Sequence, residues 1–154
     1  MDQQLIERKV ALLDKDGNLR QIGWSPQPLL DCNLEQANFY RLKFLQPMRI
    51  KRWDYYGIFT PTHYFSFTIS NIGYMGMMFC YVLNFETKEF EEDTIITPFG
   101  AGAKLSRNST GGECVFENKT LRMRFEVKHN KRHVFCEWPG FGKGGLTADV
   151  TLLC

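Results

Sequence analysis

The sequence is poor in the features that most often reveal what a chain does. No stretch approaches the roughly 18 consecutive apolar residues of a bilayer-spanning helix, so no transmembrane segment is expected. Residues 1–9, Met1-Asp2-Gln3-Gln4-Leu5-Ile6-Glu7-Arg8-Lys9, lack the apolar core of a secretory signal. The five cysteines (Cys32, Cys80, Cys114, Cys136, Cys154) are odd in number and contain no Cys-x-x-Cys pair. The three histidines, His63, His129 and His133, are scattered, so the four converging ligands of a structural zinc site are missing and no metal is expected. Free thiols and a cytoplasmic location follow as expectations. A net charge of +2, from 19 Lys and Arg against 17 Asp and Glu, makes no strong long-range field, so neither nucleic acid nor an anionic membrane is an expected partner. Asn108-Ser109-Thr110 and Asn118-Lys119-Thr120 match the glycosylation pattern, but without a secretory signal they read as chance matches.

Motifs that would announce chemistry are equally scarce. Asp14-x-Asp16-x-Asn18 starts like a calcium loop, but Leu19 and Ser25 stand where that loop needs Gly and Glu, so the segment reads as a turn. Gly140-x-Gly142-x-x-Gly145 spells a dinucleotide fingerprint, yet a strand pattern follows where a helix N-terminus must receive the pyrophosphate. There is no Gly-x-Ser-x-Gly, no Ser, His and acid set that spacing alone could assemble, and no expected cofactor. Glu91-Glu92-Asp93 reads as a solvated strand edge. Lys128, His129, Lys131, Arg132 and His133 read as a solvated basic hairpin tip.

What is present is strand. The chain has 154 residues, 44% hydrophobic and 23% charged, enough for one domain with a real core. Thirteen Phe and an aromatic share of 14% favour strands over helices. Val10–Leu13 and Leu19–Trp24 read as a hairpin around Asp14-Lys15-Asp16-Gly17-Asn18, with Gly17 and Asn18 at positive φ. Residues 34–44 could hold a short helix. Residues 53–59 read as a strand, and residues 63–70 alternate, with Phe65, Phe67 and Ile69 on one face and Tyr64, Ser66, Thr68 and Ser70 on the other. Residues 75–85 are apolar at nearly every position, as in a strand covered on both faces. Strands are also expected over residues 90–97, 113–118, 121–128, 132–138 and 146–154. About nine or ten short strands at roughly 8–12-residue spacing make an all-β protein, an antiparallel barrel or a curved sandwich. Residues 146–154 still alternate at Cys154, which reads as an interrupted domain.

One cluster resists a bland reading. Arg49-Ile50-Lys51-Arg52-Trp53-Asp54-Tyr55-Tyr56 sets an acid among large aromatics beside three cations. Such an acid can have a shifted pKa and donate a proton; a structural acid, hydrogen-bonded to a turn or paired with Arg or Lys, is the alternative. Asp54 is therefore a weak catalytic candidate.

Leu12-Leu13-Asp14, Gly17-Asn18-Leu19, Gly23-Trp24-Ser25, Pro28-Leu29-Leu30, Lys51-Arg52-Trp53-Asp54-Tyr55-Tyr56 and Ile72-Gly73-Tyr74 carry a resemblance. In order and spacing they are similar to the N-terminal half of domain-of-unknown-function family 2804, continuing through Asn84–Lys88 and Pro98-Phe99-Gly100. The resemblance implies a lipocalin-like fold of the calycin group, similar to hydroxyneurosporene synthase, tocopherol cyclase and the AttH-like proteins, which pair two such domains. It implies residues 1–9 as a lead, residues 10–154 as the first domain, and a second domain that is absent. It supplies no catalytic residue for this chain. The expected function is a lipocalin-like module that binds an apolar lipid or isoprenoid, or a protein partner, without catalysis. Trp53, Tyr55, Phe65, Phe67, Met77 and Phe79 are the expected ligand contacts. The alternatives are a hydratase- or cyclase-like enzyme using Asp54 as acid, and a structural subunit that self-associates or packs against another chain.

Overall fold

The computed structural model describes residues 3–38 and 40–153, so Cys154, on which the reading of an interrupted last strand rests, lies outside them, as do Met1, Asp2 and Phe39. Four two-residue strands come first: β1 Gln4–Leu5, β2 Val10–Ala11, β3 Gly23–Trp24 and β4 Leu30–Asp31. Two 3-10 helices follow, Leu34–Gln36 and Lys43–Met48. Eight long strands complete the order: β5 Arg52–Phe59, β6 His63–Asn71, β7 Met75–Asn84, β8 Phe90–Pro98, β9 Gly112–Glu117, β10 Arg122–Lys128, β11 Lys131–Trp138 and β12 Leu146–Leu153. The long strands form two antiparallel meanders, β5-β6-β7-β8 and β12-β11-β10-β9, and both are open sheets.

Alternation assigns the faces. Cross-strand partners share a face, so the pairs Tyr56↔Phe67↔Cys80 and Asp54↔Ile69↔Met78 lie on one side of the first sheet. In the second sheet Cys114, Phe116, Met123, Phe125, Val134, Cys136 and Trp138 are buried on the corresponding side. These two sets form a single core. The Cys80 and Cys136 sulfurs touch at 3.9 Å, which marks where the sheets meet face to face. Tyr56 packs edge-on against Phe125 across the same interface, ring centroids 4.9 Å apart. The arrangement is all-β and sandwich-like.

Three expectations are corrected. The hairpin over residues 10–24 shrinks to one bridge, Leu13↔Leu19, around the Asp14 turn. Its arms pair elsewhere and in parallel, Val10–Ala11 with Leu30–Asp31 and Gly23–Trp24 with Gln4–Leu5. The turn itself holds because the Asp14 carboxylate accepts the backbone N–H of Asp16 and of Asn18, each at 2.9 Å. Gly17 takes the positive φ of +81°, and Asn18 does not. The Gln4–Leu5 pairing and the burial of Ile6 tie part of residues 1–9 to the domain.

The second correction concerns the polar face of β6. Ser66, Thr68 and Ser70 are buried rather than solvated. Their short side chains stand in a row between larger neighbours: Trp53 and Tyr55 on β5, and Met77, Phe79 and Tyr81 on β7. The flanking side chains overhang the row and remove it from water. Third, β7 is fully buried only on its inner face, at Gly76, Met78 and Cys80, and Met75, Met77 and Phe79 on the outer face are half-buried. Where a helix was possible over residues 34–44, the described part holds a single turn of 3-10 helix and the start of a second. Among the described residues, no helix is long and apolar enough to cross a membrane.

Candidate functional site

The outward faces of β5, β6 and β7 and their inward faces divide the expected ligand contacts. Trp53, Tyr55, Met77 and Phe79 lie on the outer face, in register with Ser70 and Thr68. Phe65 and Phe67 lie on the inner face, Phe67 within the core and Phe65 packed against it. Period-two geometry keeps these two sets on opposite sides of one sheet, so the six residues do not line a common cavity. On the outer face the Tyr55 hydroxyl is hydrogen-bonded to those of Tyr64 and Tyr81, the latter at 3.0 Å. Those bonds, Tyr64 first, push the Tyr55 phenol well above its ordinary pKa.

A cleft of about 590 Å³ opens at one end of the sandwich, on the inner side. Asp54 from β5, Cys114 from β9, Phe125 and Val127 from β10, and Arg132 from β11 line it from the sheets. Residues of the 25–34 segment, among them Pro28, Leu29, Leu30 and Leu34, and of the 105–109 loop wall the mouth. Lys51, Arg52, Trp53 and Arg107 stand at the same cleft. Two ion pairs hold its outer walls together: Arg107 Nε to Asp31 at 3.2 Å and Arg107 Nη2 to Glu35 at 2.8 Å. Glu35 is held below the usual carboxylate range, first by its own backbone N–H and then by Arg107.

Alternation also orders the polar groups of β5. Arg52, Asp54 and Tyr56 follow one another along its inner face, from exposed to half-buried to buried. Desolvation raises the pKa of Asp54; a hydrogen bond from the Cys114 thiol and the positive charge of Arg132 only partly oppose it. Cys114 is itself raised by burial, and its sulfur accepts the Ser106 N–H at 3.3 Å. Tyr56 is raised by burial too, and its hydroxyl accepts a hydrogen bond from Arg132 Nη1 at 3.3 Å. Arg132 Nη2 also donates to the Ser109 carbonyl at 3.2 Å. Asp54 forms no ion pair with Lys51 or Arg52, the partners a purely structural acid would take from its own cluster.

Sequence reasoning singled out Asp54 and its neighbours but missed Cys114, Val127, Phe125 and the capping segment. It placed Arg132 at a solvated hairpin tip, whereas Arg132 faces Tyr56 across the sheets. One signal was available: Arg132 precedes Val134, Cys136 and Trp138 in the alternation of β11, so it shares their inward face.

The remaining motifs find local roles. Asn108 and Asn118 accept hydrogen bonds from Thr110 and Thr120, backbone and hydroxyl alike, as Asx-type turns. The Gly140–Gly145 segment is an inter-strand loop in which the Gly142 N–H donates to Asp93 at 2.6 Å. His133 Nε2 meets Asp149 at 2.6 Å across β11 and β12. The four described cysteines are free thiols, with Cys32 exposed and Cys80, Cys114 and Cys136 buried.

No curated protein and no solved structure matches the chain. The sequence pattern of the family described as Domain of unknown function (DUF2804) matches residues 3–154, nearly the whole length. The chain belongs to the DUF2804 family.

Proposed function

We propose that the protein is a lipocalin-like binding module that holds an apolar small molecule, a lipid or isoprenoid, in the cleft at the open end of its sandwich. One observation carries the reading: the about 590 Å³ cleft walled by Pro28, Leu29, Leu30, Leu34, Leu105, Phe125 and Val127. That volume lies within the roughly 300–1,000 Å³ of small-molecule sites, and these apolar residues share the lining with ten polar or charged ones. A cytoplasmic location belongs to the same proposal.

The test is displacement of a neutral polarity-sensitive dye, N-phenyl-1-naphthylamine, by dodecanol. Dye fluorescence should rise on binding and fall as dodecanol competes, and Val127→Trp, which fills the cleft, should abolish both. Dye binding that Val127→Trp leaves intact would place the apolar site elsewhere and overturn the reading. Native mass spectrometry of the purified chain separates the competing reading, a protein partner or self-association, which predicts a dimer or larger mass with no small-molecule adduct.

A second reading, a hydratase- or cyclase-like enzyme with Asp54 as proton donor, is favoured by the raised pKa of this half-buried acid at the cleft. Its test is hydration of an isoprenoid alkene: Asp54→Asn should abolish product formation while leaving dye binding intact. Equal turnover by the variant would remove Asp54 from the chemistry.

A further inference from the structure

We propose that the ligand of this cleft is an amphipathic anion, a carboxylate or phosphate monoester on an apolar chain, whose head group is received at the mouth by Lys51 and Arg52. This rests on the reading of the cleft as an apolar-ligand site and adds the chemistry of the head group.

Four cations, Lys51, Arg52, Arg107 and Arg132, line the cleft. The acids near them are Asp54 in the lining and, on the outer walls, Asp31 and Glu35, whose carboxyl also feels the charge of Arg52. Two of the four cations already have work in the fold. Arg107 is paired with Asp31 and Glu35, and Arg132 donates to Tyr56 and to the Ser109 carbonyl. Lys51 and Arg52 form no ion pair among the described residues. Adjacent apolar walls lower the local dielectric and strengthen attraction for an incoming anion relative to open water.

The order of groups along β5 fixes the ligand's orientation. Arg52 is at the exposed end and Asp54 is the next residue inward on the same face. Arg52 and Lys51 are the first charges an entering head group meets and neither is held in an ion pair among the described residues, so the head group stops there. The chain can then lie on the apolar side of the cleft, toward Leu30, Leu105 and Val127. A guanidinium beside an ammonium suits carboxylate and phosphate alike, the first through its planar fork and the second as a point charge.

The experiment uses the full chain and the dye-displacement readout with three probes of one chain length: dodecanoate, dodecyl phosphate and dodecanol. At least one of the two anions should compete about tenfold or more better than dodecanol, the effect of a charge-assisted contact. The double variant Lys51→Gln, Arg52→Gln should bring that anion down to the level of dodecanol while dodecanol itself is unaffected. The probe comparison on the unaltered chain stands even if the variant fails to fold. Dodecanol competing as well as both anions overturns the head-group proposal and leaves the apolar site standing. Failure of all three probes overturns the apolar site itself. Inorganic phosphate displacing the dye as well as dodecyl phosphate also overturns the proposal, since the apolar chain would then contribute nothing. Dodecanoate against dodecyl phosphate distinguishes a carboxylate ligand from a phosphate ester.

Discussion

At Asp54 two effects oppose each other, and their balance makes a measurable prediction. Burial disfavours the ionised carboxyl, while the Cys114 thiol and Arg132 favour it, and burial is the larger. The folded-state pKa therefore lies above the unfolded one. Ionisation then costs stability: the fold is relatively most stable below the unfolded pKa near 3.8, and the penalty develops as pH rises through the folded value. Asp54→Asn removes the titration. It should match or exceed the natural protein in stability at neutral pH, by a margin limited by the solvent that still reaches the group. The difference should shrink toward zero below about pH 4. Urea midpoints at the two pH values test this, and a variant clearly weaker at neutral pH would show that the Arg132 and Cys114 contacts dominate. The thiols separate as cleanly. Cys32 is exposed, whereas Cys80, Cys114 and Cys136 are buried and burial disfavours the reactive thiolate at Cys114. Brief maleimide treatment followed by peptide mapping should label the Cys32 peptide, with Cys80, Cys114 and Cys136 labelled only after denaturation.

Strand β10 was the most legible element, because Met123, Phe125 and Val127 alternate with Arg122, Arg124 and Glu126 and one face alone is buried. The same strand shows which of its interactions matter. Phe125 is buried and packs on Tyr56 across the sheets, so Phe125→Ala removes a large core side chain and should cost about 3–5 kcal/mol. Arg122 pairs with Glu117 and Glu137 on the exposed face, and Arg122→Ala should cost less than about 1 kcal/mol. Denaturant unfolding of the two variants checks the contrast; similar losses would mean that the surface ladder, not the core, holds this sheet. The eight long strands were readable because a period-two pattern or an aromatic and apolar run is set off by turn residues. The first 51 residues were not. Their strands are two residues long, their pairings parallel and distant, and nothing periodic in the sequence signals a bridge such as Val10↔Leu30. The Ser66, Thr68 and Ser70 row misled for a related reason: polarity predicts exposure only when the neighbouring columns are of similar size, and here they are aromatic and methionine-rich.

Over the whole molecule, the cleft exists because the two sheets share a core in the middle and the inner faces remain apart at one end, where the 25–34 segment and the 105–109 loop close over them. The local part of this site was legible, since Asp54 and its cations are consecutive in sequence. Its other walls come from residues some 20 to 80 positions away in the chain, and a single sequence carries no signal of that convergence. The same geometry ties cap to loop mainly through one side chain, Arg107, which reaches both Asp31 and Glu35. All three side chains are substantially exposed, so the pairs add little to global stability. They can still decide how often the mouth opens, because local opening needs far less free energy than unfolding. Arg107→Ala should therefore leave the unfolding midpoint nearly unchanged and speed amide hydrogen exchange over residues 25–38, with no change in the β6 and β10 amides. Unchanged exchange in the cap would mean that Leu29, Leu30 and Leu34 hold it by apolar contact alone. Exchange that rises in the sheets as well would show that cap and sandwich open as one cooperative unit, and that ligand entry requires a larger opening than release of the mouth.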